Sequence, residues 1–239
     1  DGMMFALADR FLPELDDGSL AAIEQVLAGM EGSPARGPFL IDCLAPSGRL
    51  DGARGWQLFG SLSFDSERLA LLEALVPRQS SVDGAQVTAA VGSMHFDSGR
   101  KEALTLLAPK ARPVDARVAE AAAAGFSFDA NRLAAVATLA QDGGLRLDDA
   151  QLVALVGRCS FDAGRVTCVE TLAPCLDGAP DAAAARALLE LFSFDAGRQR
   201  VVEVLAGRWR ALDPAARERL LETFSFSSNR DRARATLQG

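Results

Sequence analysis

Residues able to do chemistry on their own are few and scattered in this chain of 239 residues. The four cysteines, Cys43, Cys159, Cys168 and Cys175, include no Cys-x-x-Cys pair, and the single histidine, His95, excludes a site that needs two imidazoles. We therefore interpret the cysteines as small buried apolar side chains. No metal and no other cofactor is predicted.

Sequence motifs of common catalytic sites do not occur either. The chain has no phosphate-binding loop, no Gly-x-Ser-x-Gly and no His-Glu-x-x-His. Acidic stretches such as Leu147-Asp148-Asp149 lack the alternating oxygen ligands of a calcium-binding EF-hand loop. We therefore predict that the protein is not an enzyme, with no catalytic, cofactor-binding or metal-binding residue.

One short phrase, Ser-Phe-Asp-(Ser/Ala)-x-Arg, returns at an almost constant interval and is called the corner below. Successive corner phenylalanines are 32, 32, 33, 33 and 32 residues apart. His95 replaces serine in the second copy, and serine replaces aspartate in the last copy. A fixed period of this length is typical of repeat proteins. The repeated residues are Phe64, Asp65, Arg68, Phe96, Asp97, Arg100, Phe128, Asp129, Arg132, Phe161, Asp162, Arg165, Phe194, Asp195, Arg198, Phe226 and Arg230.

Apolar residues on both sides of each corner follow the spacing of amphipathic helices. They include Leu152 and Leu155 before Phe161, and Val169 and Leu172 after it. This pattern predicts an incoming helix that leads into the corner and an outgoing helix that leaves it. A lone hairpin would expose its apolar side, so neighbouring hairpins must stack. We predict an all-α fold, a right-handed α-solenoid of about seven helical hairpins with a repeat of 32–33 residues.

The period also predicts how the chain is organised. We expect a single α-solenoid over residues 1–239, with degenerate capping repeats in 1–57, regular repeats in 58–224 and a capping helix in 225–239. A degenerate copy near Met30–Arg36 lacks both the phenylalanine and the aspartate. The extra residue of the longer units is expected in the loop after the outgoing helix, as in Gln141–Gly144.

Each corner residue type has an expected structural role. Aspartate is suited to cap the outgoing helix, and phenylalanine is expected to fill the seam between hairpins. Arginine is expected to pack on the ring and to reach the aspartate of its own or the adjoining unit, forming a ladder. The alternative is that the six arginines, Arg68 to Arg230, line a groove for a carboxylate or phosphate ligand.

Four further residues are candidates for a binding surface. Trp56 and Trp209 have no counterpart in the repeat, and aromatic residues of this kind often anchor interfaces. Arg208 and Arg210 belong to a basic C-terminal cluster. The competing interpretations are core packing for the tryptophans and a polar cap for the arginines.

Charge and hydropathy exclude several classes of partner. The formal net charge of −7 disfavours binding to nucleic acid or to an anionic membrane, since both require basic surface. No apolar stretch is long enough to span a bilayer. Because the sequence begins with Asp1, we expect a processed or trimmed product.

The corner followed by a leucine-rich helix resembles a family of helical domains known as domain of unknown function 4476. Thr223–Asp231 is similar to the end of those domains and Leu191–Asp195 to their internal repeat, so the resemblance covers roughly residues 58–239. It implies a few helical hairpins in bacterial and often exported proteins, so export is an expectation that rests on the resemblance. It implies no activity for any residue.

These observations favour a binding role. We predict a non-catalytic helical-repeat protein that acts as a protein–protein interaction or scaffold module and binds another protein or peptide. The alternatives are a structural spacer or regulatory arm of a larger protein and, least favoured, an enzyme. Neither the oligomeric state nor the binding face is predicted.

Overall fold

The computed structural model describes Gln25, Gly29, 52–112 and 114–239. Twelve α-helices form in these residues. The only β-pairing among the described residues consists of two isolated bridges. The all-α prediction is therefore confirmed for the described part of the chain. The degenerate corner near Met30–Arg36 and most of the predicted capping region 1–57 lie outside the described residues.

Incoming and outgoing helices alternate along the chain. The incoming helices are α1 (Gly52–Ser61), α3 (Gly84–Ser93), α5 (Ala116–Ala124), α7 (Asp149–Gly157), α9 (Ala182–Glu190) and α11 (Pro214–Leu221). The outgoing helices are α2 (Asp65–Leu75), α4 (Asp97–Leu107), α6 (Asp129–Gln141), α8 (Asp162–Leu172), α10 (Asp195–Trp209) and α12 (Ser227–Gln238). Single 3₁₀ turns at Val76–Arg78, Ala108–Lys110 and Ala173–Cys175 follow α2, α4 and α8.

The chain divides into two compact units, residues 1–111 and 112–239. In the first, α1 packs on α2, α3 on α4, and the outgoing helices α2 and α4 pack on each other. In the second, the outgoing helices α6, α8, α10 and α12 pack side by side in chain order, and α7, α9 and α11 form another row. Neighbouring hairpins thus stack within each unit. A single right-handed solenoid of about seven hairpins stays a prediction.

Aspartates begin most of the incoming helices. Each lies thirteen residues before a corner phenylalanine, and its carboxylate accepts a hydrogen bond from the backbone N–H three residues later. This bond satisfies a helix N–H that has no partner within the helix. The residues are Asp83, Asp115, Asp148, Asp181 and Asp213.

The loops after α6 and α8 contain the extra residue of the longer units. Gly144 and Gly178 adopt left-handed backbone angles there, with φ of 63° and 71°. A short parallel bridge between Leu147 and Leu176 joins the two loops, and in it the Leu147 N–H donates to the Cys175 carbonyl at 3.0 Å. Glycine accepts this conformation without the steric cost that a Cβ would add.

The residue two positions before each corner phenylalanine is buried. These residues are Leu62, Met94, Phe126, Cys159, Phe192 and Phe224. In the fifth hairpin the Phe192 ring lies so close to α10 that a Cβ on Gly197 would be 2.7 Å from its Cδ1 atom. Cys159, Cys168 and Cys175 are free thiols and buried, as predicted, whereas Cys43 lies outside the described residues.

The corner phenylalanines themselves are exposed, so the prediction that they fill the seam between hairpins is wrong. Phe194 is 71 % exposed, while Phe192, two residues earlier, is 1 % exposed. The seam is filled by the earlier side chain, since the chain bends at Ser193 and Phe194 before it enters α10 at Asp195, which leaves the Phe194 ring in water.

This difference predicts opposite costs for two truncations in one corner. We expect Phe192→Ala to lower the free energy of unfolding by about 4 kcal/mol, because it leaves a cavity in the core. Phe194→Ala is expected to lower it by less than about 1 kcal/mol, since the ring is largely in water. Urea unfolding followed by circular dichroism measures both. Equal costs would contradict the assignment of Phe192 to the seam.

Candidate functional site

The most unusual feature of the surface is the repeated exposure of a large aromatic side chain. The exposed fractions of Phe64, Phe96, Phe128, Phe161, Phe194 and Phe226 are 47, 71, 68, 75, 71 and 66 %. Among the described residues these are all of the exposed large apolar side chains. Scattered exposed apolar residues are ordinary on a protein surface, but a periodic set is not explained by chance placement.

Four of these rings belong to the second unit and are called the phenylalanine row: Phe128, Phe161, Phe194 and Phe226. Each precedes the first residue of one outgoing helix, with extended backbone angles. Because these helices pack side by side, and packed helices lie about 8–10 Å apart, the rings repeat at about that distance. The row is a strip of apolar surface across four helix N-termini.

The corner aspartate holds successive corners together, and it does not cap its own helix as predicted. Asp162 is the first residue of α8, and its Oδ2 atom accepts from the backbone N–H groups of Ser193 and Phe194 at 2.9 and 3.1 Å. The other bonds of this kind, in the two units, are Ser160 N–H to Asp129 at 2.8 Å, Ser225 and Phe226 N–H to Asp195 at 3.0 Å each, and His95 and Phe96 N–H to Asp65 at 2.9 and 3.1 Å.

Asp195 is the most enclosed of these carboxylates, with 5 % of its side chain exposed. Burial alone would raise its pKa, but donors on Ser225, Asn229, Phe226 and Arg198 lower the pKa to about 2. The pKa of Asp129 is also lowered, chiefly by the hydrogen bond from the Ser160 N–H. These carboxylates are thus held in the charged form.

The corner arginine pairs with the aspartate of its own corner, as the sequence predicts. The Arg132 and Arg198 Nη1 atoms both lie 2.8 Å from the Oδ1 atom of Asp129 and Asp195, respectively. The same guanidinium groups also donate to the carbonyl of the buried residue at the end of the incoming helix. Arg100, Arg165 and Arg230 make one or both of these contacts. Arg68 lies 3.8 Å from Asp65 and donates instead to the Ser93 carbonyl of the next hairpin.

These contacts limit what the arginines offer to a ligand. The exposed fractions of the five arginine side chains that pair with a corner aspartate are between 12 and 28 %. Arg132 does line a shallow groove with Ala123, Ala124, Gly157 and Arg158. The geometry therefore favours the structural ladder over the alternative of a continuous anion-binding groove.

At the first described corner, a glutamate of the same hairpin takes the place that the aspartate of the preceding corner takes at Phe96, Phe161, Phe194 and Phe226. The Glu67 Oε2 atom accepts from the Phe64 N–H at 3.3 Å, and Glu67 is 5 % exposed. The degenerate copy near Met30–Arg36 contains no aspartate that could fill this role. A carboxylate is thus placed against the backbone of this corner from within its own hairpin.

Residues 54–121 match the family model described as Domain of unknown function (DUF4476). The resemblance seen in the sequence is thereby confirmed over this segment, which contains the corners at Phe64 and Phe96. The corners from Phe128 onward, including the two segments whose sequence resembles the family, lie outside the match and are related to it by the internal repeat. Comparisons with curated proteins and with solved structures gave no match.

Beyond the DUF4476 segment, two of the candidate binding residues are structural, which corrects that interpretation. Trp209 is 1 % exposed. Arg208 donates from Nε to the Asp149 Oδ1 atom at 3.0 Å, and it also binds the Asp177, Gly178 and Ala179 carbonyls. Asp149 in turn accepts from the Asp181 N–H. These contacts, called the Arg208 clamp below, thus join α10 of the fifth hairpin to α7 of the fourth and to the loop between the two hairpins.

The other two candidate binding residues contribute little surface to one site. Trp56 is half-buried in the first unit, and its ring makes an edge contact with Phe59 at a centroid distance of 5.7 Å. Arg210 is exposed in the second unit and donates to the Thr236 carbonyl at 2.9 Å. Neither residue lies at a corner, so neither belongs to the phenylalanine row.

The described residues also bear on metal binding and on membrane crossing. No group of three or more His, Cys, Asp or Glu side chains is placed to hold a metal ion there. None of the described helices is both long enough and apolar enough to cross a membrane.

The lowered pKa of Asp195 predicts a defined acid sensitivity. Because the folded-state pKa is about 2 and the unfolded value 3.8, the stabilisation is complete above about pH 4 and is lost as the pH falls towards 2. Asp195→Asn should lower the free energy of unfolding by about 2 kcal/mol at pH 7, and it should reduce the pH dependence of that free energy between about pH 4 and 2. Urea unfolding at a series of pH values measures both effects.

Asp231 provides a matched control for this test. It forms the same pairing with an arginine three residues later, also at 2.8 Å, but its side chain is 71 % exposed. Asp231→Asn should cost less than about 0.5 kcal/mol. An equal effect of the two substitutions would show that the Arg pairing, and not the bonds to the next corner, determines the stabilisation.

Removal of the Arg208 clamp should lower the free energy of unfolding. Arg208→Ala leaves the Asp149 carboxylate, 6 % exposed, without its cationic partner, and we expect a loss of about 3 kcal/mol in unfolding free energy. Arg210→Ala, the control two residues away, should cost less than about 1 kcal/mol because Arg210 is exposed. Thermal unfolding of both variants makes the comparison, and similar melting temperatures would contradict the clamp.

Proposed function

We propose that this protein is a non-catalytic interaction module that binds another polypeptide through the phenylalanine row. The observation that supports the proposal is the exposure of four rings, between 66 and 75 %, at equivalent positions of successive hairpins. Keeping large apolar rings in water gives the fold no burial energy, so their repetition calls for another explanation.

The chemistry of the row suits protein recognition. Aromatic side chains bury much area for little loss of conformational freedom and are common anchors of protein interfaces. Ala130, Ala163 and Ala196 follow three of the rings by two residues and are small and exposed, so no bulky side chain at these positions obstructs a partner. A polypeptide with apolar side chains would pack on the rings.

The backbone under the row is held before any partner binds. Each corner from Ser160 onward has at least one N–H bonded to the aspartate of the preceding corner, and the arginines fix those aspartates. A surface fixed in this way loses little entropy on binding. The ladder therefore serves the binding role as well as the stability of the stack.

A capture experiment tests the proposal. The wild-type chain, a row variant (Phe128→Ser, Phe161→Ser, Phe194→Ser and Phe226→Ser) and a control variant are immobilised and incubated with lysate and secreted fraction of the source organism. The control carries Ala154→Ser and Ala183→Ser, two exposed positions on incoming helices. We expect at least one protein, the native chain itself included, to be enriched about tenfold by wild type and control and to be lost with the row variant.

Two results would count against this function. Equal enrichment by wild type and row variant would place the binding surface elsewhere. Absence of any enriched protein would favour the spacer or regulatory-arm alternative. Circular dichroism of the row variant shows whether the fold is retained, which we expect because the substituted rings lie in water.

A further inference from the structure

We infer that the partner which covers the phenylalanine row is a second copy of this chain, related to the first by a two-fold axis. The inference rests on the proposed function of the row as a binding surface. It identifies the kind of partner from the period of the row, the separation of its rings, the area that they expose and the charge around them.

The period of the row is the first argument. The four exposed rings are spaced at one nearly constant distance, because each ring lies at the start of an outgoing helix and neighbouring outgoing helices pack side by side. A second copy has the same distance between neighbouring rings, and a two-fold axis that reverses the direction of the row leaves that distance unchanged. Two copies therefore stay in register over all four rings, and the same patch serves on both sides, as in an isologous dimer. An unrelated partner would need a matching repeat of its own.

The separation of the rings is the second argument. Rings that are about 8–10 Å apart leave a gap in which one ring of the other copy lies about 4–5 Å from each neighbour. Aromatic pairs prefer centroid distances of about 4.5–7 Å. Ala163 and Ala196, two residues after Phe161 and Phe194, are small and exposed, so they put no bulky side chain beside the rings. Interdigitation of two rows thus places the rings near favourable distances.

The area of the row is the third argument. Phe128, Phe161, Phe194 and Phe226 are 68, 75, 71 and 66 % exposed, which at about 200 Å² for a whole side chain amounts to about 550 Å² on one copy. A two-fold contact would bury about 1,100 Å² in total from the rings alone. This exceeds the roughly 1,000 Å² that a specific interface requires.

The charge around the row permits this contact. The corner aspartates of the row are paired with Arg132, Arg165 and Arg198, so these carboxylates add no unpaired negative charge to the contact. Each copy has a formal net charge of −7, which opposes association over longer distances. Salt screens that repulsion and leaves apolar contacts intact, so the dimer should become tighter as the ionic strength rises.

Sedimentation velocity of the full chain tests the inference directly. We expect wild type to change from monomer to dimer between about 1 and 200 μM, and the dissociation constant to fall at least threefold between about 0.05 and 0.5 M NaCl. Phe161→Ser with Phe194→Ser should raise the dissociation constant at least thirtyfold. The Ala154→Ser, Ala183→Ser control should leave it within twofold of wild type.

Three other outcomes of the sedimentation experiment would overturn the inference. A dimer that is equally stable in the row variant uses another surface, and a dimer that weakens in salt depends on ion pairs. A wild-type chain that stays monomeric to 200 μM has no second copy on the row. In that last case the capture experiment still decides the proposed function. A different protein that is captured by wild type and lost with the row variant supports the proposed function. If no protein is captured, the proposed function is contradicted together with the dimer.

Discussion

The hydrogen bond from a corner backbone N–H to the aspartate of the preceding corner is the interaction on which the rest of the structure depends. It joins residues about one repeat apart, as in Asp162 with Ser193 and Phe194. A charged acceptor makes such a bond stronger than a neutral one, and the arginine of the same corner neutralises the charge. Within each unit, the start of an outgoing helix is thus fixed against the start of the outgoing helix before it.

Two consequences follow from this constraint. Side chains two positions apart lie on the same side of a fully extended chain, but the corner backbone bends at Ser193 and Phe194, where both N–H groups are bound to Asp162. The two phenylalanines of this corner therefore face different surroundings. Phe192 enters the core, whereas Phe194 stays in water. The same bonds thus stabilise the stack and hold the corners that expose Phe96, Phe161, Phe194 and Phe226, so stability and surface pattern arise from one repeated phrase.

Opposite the corners, the second unit is joined by different contacts. Arg208 and Asp149 connect α10 to α7 and to the loop before α9, and the bridge of Leu147 with Leu176 connects neighbouring loops. Neither of these contacts recurs in every repeat, so they add specificity to a stack whose corners are nearly equivalent. A periodic sequence alone leaves shifted pairings between hairpins close in energy, and unique buried pairs of this kind oppose such shifts.

The sequence by itself determined the local structure: the period of 32–33 residues gave the helix positions, and the regular offsets gave the apolar sides that pack together. It also indicated the pairing of arginine with aspartate, since the two lie three residues apart on one helix. The recurrent aspartate thirteen residues before each phenylalanine was a readable signal for the incoming helix caps. Only the tertiary structure decided that Phe194 is exposed while Phe192 is buried, that Asp195 binds the next corner, and that Trp209 and Arg208 lie inside the stack. The physical reason is that these properties depend on which hairpin lies beside which and how the corner backbone turns, and neither is encoded in the spacing of residues along one helix.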